Sequence, residues 1–159
     1  MDNASLTGIV TSSLLSMPLA DSYQSEEGDF QDAVRDHLDQ VLALYHQTAT
    51  TTASVGGSNR PRIDLLGTNV WPDIEVCIGD RAMVGIELKL VRQNASLPSG
   101  IKEALGQAFL YRLKYPRSIA FVLSAKPENR KLHEFDEKLH DWCEKTGISF
   151  ILRSYPDKS

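Results

Sequence analysis

The chain has 159 residues, 42% of them apolar and 24% charged, with a formal net charge of −4. That is enough for one domain with a sizeable core. Two cysteines, Cys77 and Cys143, do not make a disulfide framework and suit a reducing cytoplasm. No apolar run is long enough to span a membrane, and no Lys or Arg precedes the mildly apolar Ile9 to Ala20, which argues against a signal peptide.

Residues 1–24 show no sustained periodicity and read as a mobile tail or an edge attachment, leaving residues 25–159 as the domain. A helix is expected from near Ser25, where Ser25-Glu26-Glu27-Gly28 supplies a cap and early acids. Phe30, Val34, Leu38, Val41 and Tyr45 recur at helical spacing and face a core. Thr48 to Asn59, rich in Thr, Ser and Gly, reads as a loop. Arg62 to Leu66 is a short first strand. Two alternating runs follow: Ile74, Val76 and Ile78 between polar positions, then Val84, Ile86, Leu88 and Leu90. Period two marks half-buried strands. Gln93 to Gly100 reads as a polar loop, and Ile101 to Leu113 as a helix ended by Tyr115-Pro116. Ser118 to Ser124 is a continuous apolar run, hence a buried strand. Asn129 to Lys145 is an amphipathic helix carrying Leu132, Phe135, Leu139 and Trp142, and Gly147 stops it. Ile148 to Leu152 is a last strand. The order is α-β-β-β-α-β-α-β, a three-layer α/β domain with a mixed sheet.

The hairpin carries the chemistry. Gly79-Asp80 is a turn signal between the two alternating runs. A plain two-residue loop would pair Ile78 with Arg81 and Asp73 with Ile86, setting every apolar residue against a polar face. One residue of register flips a whole face. The pattern therefore demands an odd loop, such as Gly79 to Arg81, or a compensating bulge near Gly79. Asp73 then falls across from Glu87, with Lys89 next on the same side. Two carboxylates can hold a hard divalent cation through oxygen. A lysine beside them can touch an attacking water or the charge building on a phosphate. Glu75 shares the face, either as an extra ligand or as the partner of a base.

Charge is unevenly spread. Residues 1–50 hold eight acids and one base, Arg35, whereas residues 89–131 hold nine bases and two acids. A basic central segment behind a metal-type site suits a polyanion. The histidines His37, His46, His133 and His140 lack ligand spacing, and there is no P-loop, G-x-S-x-G or C-x-x-C pattern.

Pro72-Asp73 before one strand's core run, Glu87-x-Lys89 in the next, and the order of elements over residues 25–152 together resemble the PD-(D/E)xK nuclease superfamily. Gln107-Ala-Phe-Leu-Tyr111 is similar to the Q-x-x-x-Y motif of its RecB-type members, and Gln107 and Tyr111, four apart, share one helix face. The resemblance implies a restriction-endonuclease-like fold and a metal-dependent nuclease acting on nucleic acid, DNA favoured. It implies that Asp73, Glu87 and the backbone carbonyl of Leu88 hold Mg²⁺, for which Mn²⁺ can substitute. It implies that Lys89 serves the attacking water, that Gln107 positions Lys89 or a phosphate, and that Tyr111 supports the helix or the substrate. An acid on the first helix would reach the metal through water: Glu27 matches best, with Glu26 close behind. Arg62-Ile63-Asp64 imitates the RecB-type pattern loosely, which makes Asp64 the alternative to Asp73. Lys102 and Arg112 are candidate phosphate contacts. Such a module could dimerise or join a larger nuclease or helicase assembly. A non-catalytic binding or assembly protein on the same fold and a nuclease toxin domain are the competing readings.

Overall fold

The computed structural model describes residues 3–20, 23, 26–45, 49–53, 62–125 and 134–155. The expected cap Ser25, the start of the last helix with Leu132, the bases Lys126, Arg130 and Lys131, and His46 and His133 lie outside the described residues, as do the side chains of Tyr45 and Phe135. The elements in chain order are α1 (Asn3–Ser16), α2 (Glu27–Tyr45), β1 (Ala49–Ala53), β2 (Ile63–Leu65), β3 (Thr68–Val70), β4 (Ile74–Ile78), β5 (Arg81–Val91), α3 (Leu97–Tyr111), β6 (Arg117–Ser124), α4 (Glu134–Thr146) and β7 (Ile148–Ser154).

A five-stranded mixed sheet runs β1-β4-β5-β6-β7, antiparallel across β1, β4 and β5 and parallel across β5, β6 and β7. Alternation along the strands divides the side chains between two cores. Ile74, Val76, Ile86, Leu88, Ile119 and Phe121 pack with Phe30, Val34 and Leu38 of α2 on one face. Ala120, Val122 and Ile148 pack with Leu97, Ala104 and Ala108 of α3 and Cys143 of α4 on the other. The chain is thus an α/β domain with helices on both sides of its sheet. Among the described residues no helix is long and apolar enough to cross a membrane.

Four expectations need correction. Residues 3–16 are a helix, not part of a tail: Leu6, Val10, Leu14 and Met17, at spacings of four, four and three, are buried in the main core. The end of that helix is tied down by Arg153 of β7, which donates to the carbonyls of Leu14 (3.0 Å) and Met17 (2.7 Å). Within the expected loop, Ala49–Ala53 forms the edge strand β1 against β4. The expected first strand does not join the main sheet. It is β2, which pairs with β3 in a separate two-stranded ribbon. Finally, α3 starts four residues early: the Ser96 hydroxyl accepts from the Ser99 N–H, and Pro98 sits in the first turn, where its missing N–H costs nothing.

The hairpin β4–β5 takes the bulged form. Its loop is two residues, Gly79-Asp80, with Ile78 opposite Arg81 and Gly79 at φ +56, the sign a II′ turn needs at its first position. Cys77 pairs with Ala82 but Val76 with Val84, so Met83 is the extra residue. Below that bulge Ile74 faces Ile86, and the core register is the one the apolar pattern demanded.

Candidate active site

The site lies where β4 ends and β5 continues. The Asp73 N–H donates to the Ile86 carbonyl at 3.0 Å, just before the first residue of β4. One step further along β5, the Leu88 N–H has no strand to pair with on that side. The Asp73 carboxylate takes its place, accepting from Leu88 N at 2.8 Å. In an extended strand the N–H and C=O of one residue point the same way, so the Leu88 carbonyl looks out beyond the end of β4, on the Asp73 side. Glu87, on the adjoining pleat, shares a cleft of about 280 Å³ with Asp73, Asn69, Val70, Trp71, Gln107 and Tyr111. A larger groove, about 580 Å³, lies away from these groups between α1 and α2. It holds His37, whose ring nitrogen meets the Ser13 carbonyl at 3.1 Å.

The structure brings Asp73, Glu87, Gln107 and Tyr111 together and leaves Asp64 out. Asp64 is exposed on the ribbon with Arg62 Nε at 3.6 Å. Tyr111, fully buried, aims its hydroxyl at both Glu87 Oε2 and the Trp71 carbonyl, the latter at 2.9 Å. It has one proton to give, so it serves one acceptor at a time unless Glu87 is itself protonated. Burial, then the charge and hydrogen bond of Glu87, push the Tyr111 hydroxyl well above the ordinary phenol range, so Tyr111 remains a donor.

Burial sets the electrostatics of the pair. Asp73 is raised to about 6 by burial against the pull of the Leu88 N–H, with the Glu27 charge adding to the rise and Lys89 opposing it. Glu87 is raised to about 8, by burial first and then by the Asp73 charge, with the Tyr111 hydrogen bond and Lys89 opposing. The two protons leave in steps that belong to the pair. Lys89 emerges on the same pleat as Glu87, and its ammonium meets Glu103 of α3 at 2.8 Å. Burial alone would lower the Lys89 pKa, but Glu103 above all, then Glu27 and Glu87, hold it above its ordinary value.

Glu27 is exposed at the first turn of α2, and its charge is felt by Asp73 and Lys89; Glu26 is exposed just outside that helix. One turn on from Glu27, Gln31 donates to the Asp73 carbonyl at 2.9 Å. Gln31 and Glu103 are the residues that sequence reasoning missed. Both carry a usable signal, since Gln31 lies four after Glu27 and Glu103 lies four before Gln107.

Two other expected residues have structural partners. Arg112 donates from Nε to the Thr146 carbonyl at 2.8 Å and from Nη1 to the Tyr115 carbonyl, which ties the end of α3 to the end of α4. Its guanidinium is therefore a strut, not a free phosphate contact. Glu75 accepts from the Tyr115 hydroxyl at 2.6 Å and faces Lys114 at 3.5 Å, so it is the partner of a base. Gly85 makes that arrangement possible: a Cβ there would stand 2.8 Å from the Tyr115 ring. Cys77 donates to Glu75 at 3.3 Å, and burial and that carboxylate push its thiol up to about 12. Lys102 is exposed in the second turn of α3.

Among the described residues no three His, Cys, Asp or Glu side chains gather as a ready metal site. The cleft offers two carboxylates, and strand geometry turns the Leu88 carbonyl to the Asp73 side, an all-oxygen set that fits a hard cation keeping several waters. No protein-family model, curated protein or solved structure matches the chain.

Proposed function

We propose that this chain is a metal-dependent nuclease with a restriction-endonuclease-like fold of the PD-(D/E)xK kind, hydrolysing phosphodiester bonds of nucleic acid, DNA before RNA. The observation that carries the reading is the shared cleft of Asp73 and Glu87, with Lys89 two residues further along the same strand. Asp73, Glu87 and the Leu88 carbonyl would hold Mg²⁺, or Mn²⁺ in its place. A bound divalent cation supplies polarisation of the phosphate and a more acidic water.

The residues around it divide the remaining work. The Leu88 N–H fixes the Asp73 carboxylate, Gln31 fixes the Asp73 main chain, and Tyr111 fixes Glu87. Three anchored groups keep their geometry without reorganising during the reaction. The Lys89 ammonium orients the attacking water or stabilises charge on the phosphate once it leaves Glu103. That exchange is cheap, because Glu103 is 56% exposed and a surface ion pair contributes only about 0–1 kcal/mol. Gln107, which lines the same cleft, would offer an amide to the phosphate. Lys102, on the solvent side of α3, would meet the substrate backbone.

The test is cleavage. The purified chain is incubated with Mg²⁺, Mn²⁺ or EDTA and a panel of single-stranded, duplex and branched DNA and RNA. Metal-dependent cleavage that is lost in Lys89→Ala supports the reading. No cleavage with either metal, or undiminished cleavage by Lys89→Ala, removes it.

A further inference from the structure

The ribbon β2–β3 forms one wall of the cleft and is built unlike the rest of the molecule. Its base is anchored: Ile63 packs with Tyr111 and Tyr115, and Val70 lies against them. Its exit, Asn69 to Trp71, lines the cleft beside Asp73 and Glu87. Its tip is Leu66-Gly67, with φ of +48 and +79. Positive φ at both central positions is the I′ hairpin turn, which favours Asn or Asp followed by Gly. Leu66 is the one non-glycine with positive φ among the described residues, and it is 98% exposed. A leucine in that conformation is strained and gains no packing within the chain. Neither the turn nor the core accounts for it.

Trp71 stands at the other end of the ribbon, 39% exposed at the mouth of the cleft. Three residues of strand, Thr68 to Val70, separate Trp71 from the tip, four steps of chain or roughly 13 Å. The carboxylates of Asp73 and Glu87, in the same cleft, are half-buried. A rigid double helix laid across this mouth keeps its bases stacked and its backbone on the outside. A single strand can bend in, set a base on an indole face and bring a phosphate down to Asp73 and Glu87. Aromatic platforms hold unpaired bases, and apolar wedges insert where base steps open.

We propose that the β2–β3 ribbon is a strand-separating wing. Leu66 abuts the last base pair of a duplex, Trp71 stacks the first unpaired base, and the cleft receives the single strand that leaves a junction. The inference rests on the nuclease reading of the cleft and names its substrate class: nucleic acid at the border of paired and unpaired segments.

The experiment measures binding apart from cleavage. The full chain in Ca²⁺ is titrated with three DNAs of one sequence: a single strand, a blunt duplex, and a fork with two unpaired arms. The fork is expected to bind at least about tenfold more tightly than the blunt duplex. Trp71→Ala is expected to weaken the fork and the single strand by about tenfold, within the range for one base–aromatic stack. Trp71→Phe should retain most of the affinity. Leu66→Asn places a residue that tolerates this turn, so its Tm should rise while the preference for fork over single strand falls. In a Trp142→Phe background, indole fluorescence should be quenched by the fork and not by the blunt duplex. Equal affinity for fork and blunt duplex overturns the wing, as does unchanged binding in both Trp71→Ala and Leu66→Asn. Wild-type cleavage of the same DNAs in Mg²⁺ separates the two ideas. Cleavage without fork preference removes the wing alone, whereas fork-selective binding without cleavage keeps the wing and removes the catalytic reading.

Discussion

Replacing Glu87 with Gln in the metal-free protein should stabilise it at pH 8. Glu87 has a pKa of about 8 in the folded chain against an ordinary 4.5, because it is buried beside Asp73. A raised carboxyl pKa means that the folded state resists ionisation. Stability is therefore complete below the unfolded value, near 4.5, and is lost as pH climbs through about 8. Each pKa unit corresponds to about 1.4 kcal/mol. The rise is shared with Asp73, so a gain of about 2–4 kcal/mol in Glu87→Gln at pH 8 is the fitting expectation, roughly 5–15 °C in Tm for a chain of this size. The amide has nearly the shape of the acid, and its oxygen can still accept from Tyr111. At pH 5 wild-type Glu87 is protonated and the advantage should shrink towards zero. Thermal melts of both proteins between pH 5 and 9 in EDTA measure this directly. Adding Mg²⁺ at pH 8 should then raise the wild-type Tm and leave the variant nearly unmoved, since a ligand that binds only the native state stabilises it. A difference that does not change with pH, or a variant less stable at pH 8, would show that the two carboxylates do not share one desolvated cleft.

Lys89→Ala should lose cleavage yet change stability by no more than about 1 kcal/mol, because its partner Glu103 is mostly exposed; urea melts beside nuclease assays check both. Arg112→Ala should cost about 1–3 kcal/mol by leaving the Thr146 and Tyr115 carbonyls without their donor, and should leave the salt dependence of DNA binding unaltered. Lys102→Ala should do the reverse, with an unchanged Tm and a log–log salt slope flatter by about one unit if Lys102 meets a phosphate. Leu14→Ala should cost about 2–5 kcal/mol in a denaturant melt if α1 belongs to the core, whereas a loss near zero would return residues 3–16 to the status of a tail.

What could be read in the sequence was whatever alternates. The β4–β5 register followed from apolar period alone, because only a bulge or an odd loop lets Ile74 face Ile86. The core stripe of α2 followed from the spacing of Phe30, Val34 and Leu38, although the last turn buries Leu42 and leaves Val41 half-buried. Helix α1 escaped because residues 3–16 contain no charged side chain. Leu6, Val10 and Leu14 recur correctly, but Ile9 and Leu15 blur the stripe and no polar face sets it off. Strand β1 escaped because its threonines run into a Gly- and Ser-rich stretch whose composition signals a loop. In the cleft, the sequence named Asp73, Glu87, Gln107 and Tyr111. It could not foresee the partners of Arg112: the Tyr115 carbonyl lies three residues on, but the Thr146 carbonyl comes from the end of α4, which no local pattern joins to α3.

The energetic cost of the cleft favours the proposed catalytic reading over the assembly one. Asp73 and Glu87 both resist ionisation in the folded chain, and Leu66 holds a conformation that its side chain disfavours. An assembly protein on this fold would gain stability by replacing any of the three. Glu87→Gln would remove a buried charge and keep the hydrogen bond to Tyr111, and Leu66→Asn would relieve the turn. Tyr111, Gln31 and the Leu88 N–H nonetheless hold the two acidic residues in place. Groups that destabilise a fold while being fixed in position by their neighbours are characteristic of sites shaped for a ligand. Here two convergent carboxylates, a carbonyl and a nearby ammonium suit a divalent cation and a phosphate together. Neither ligand alone would use all four.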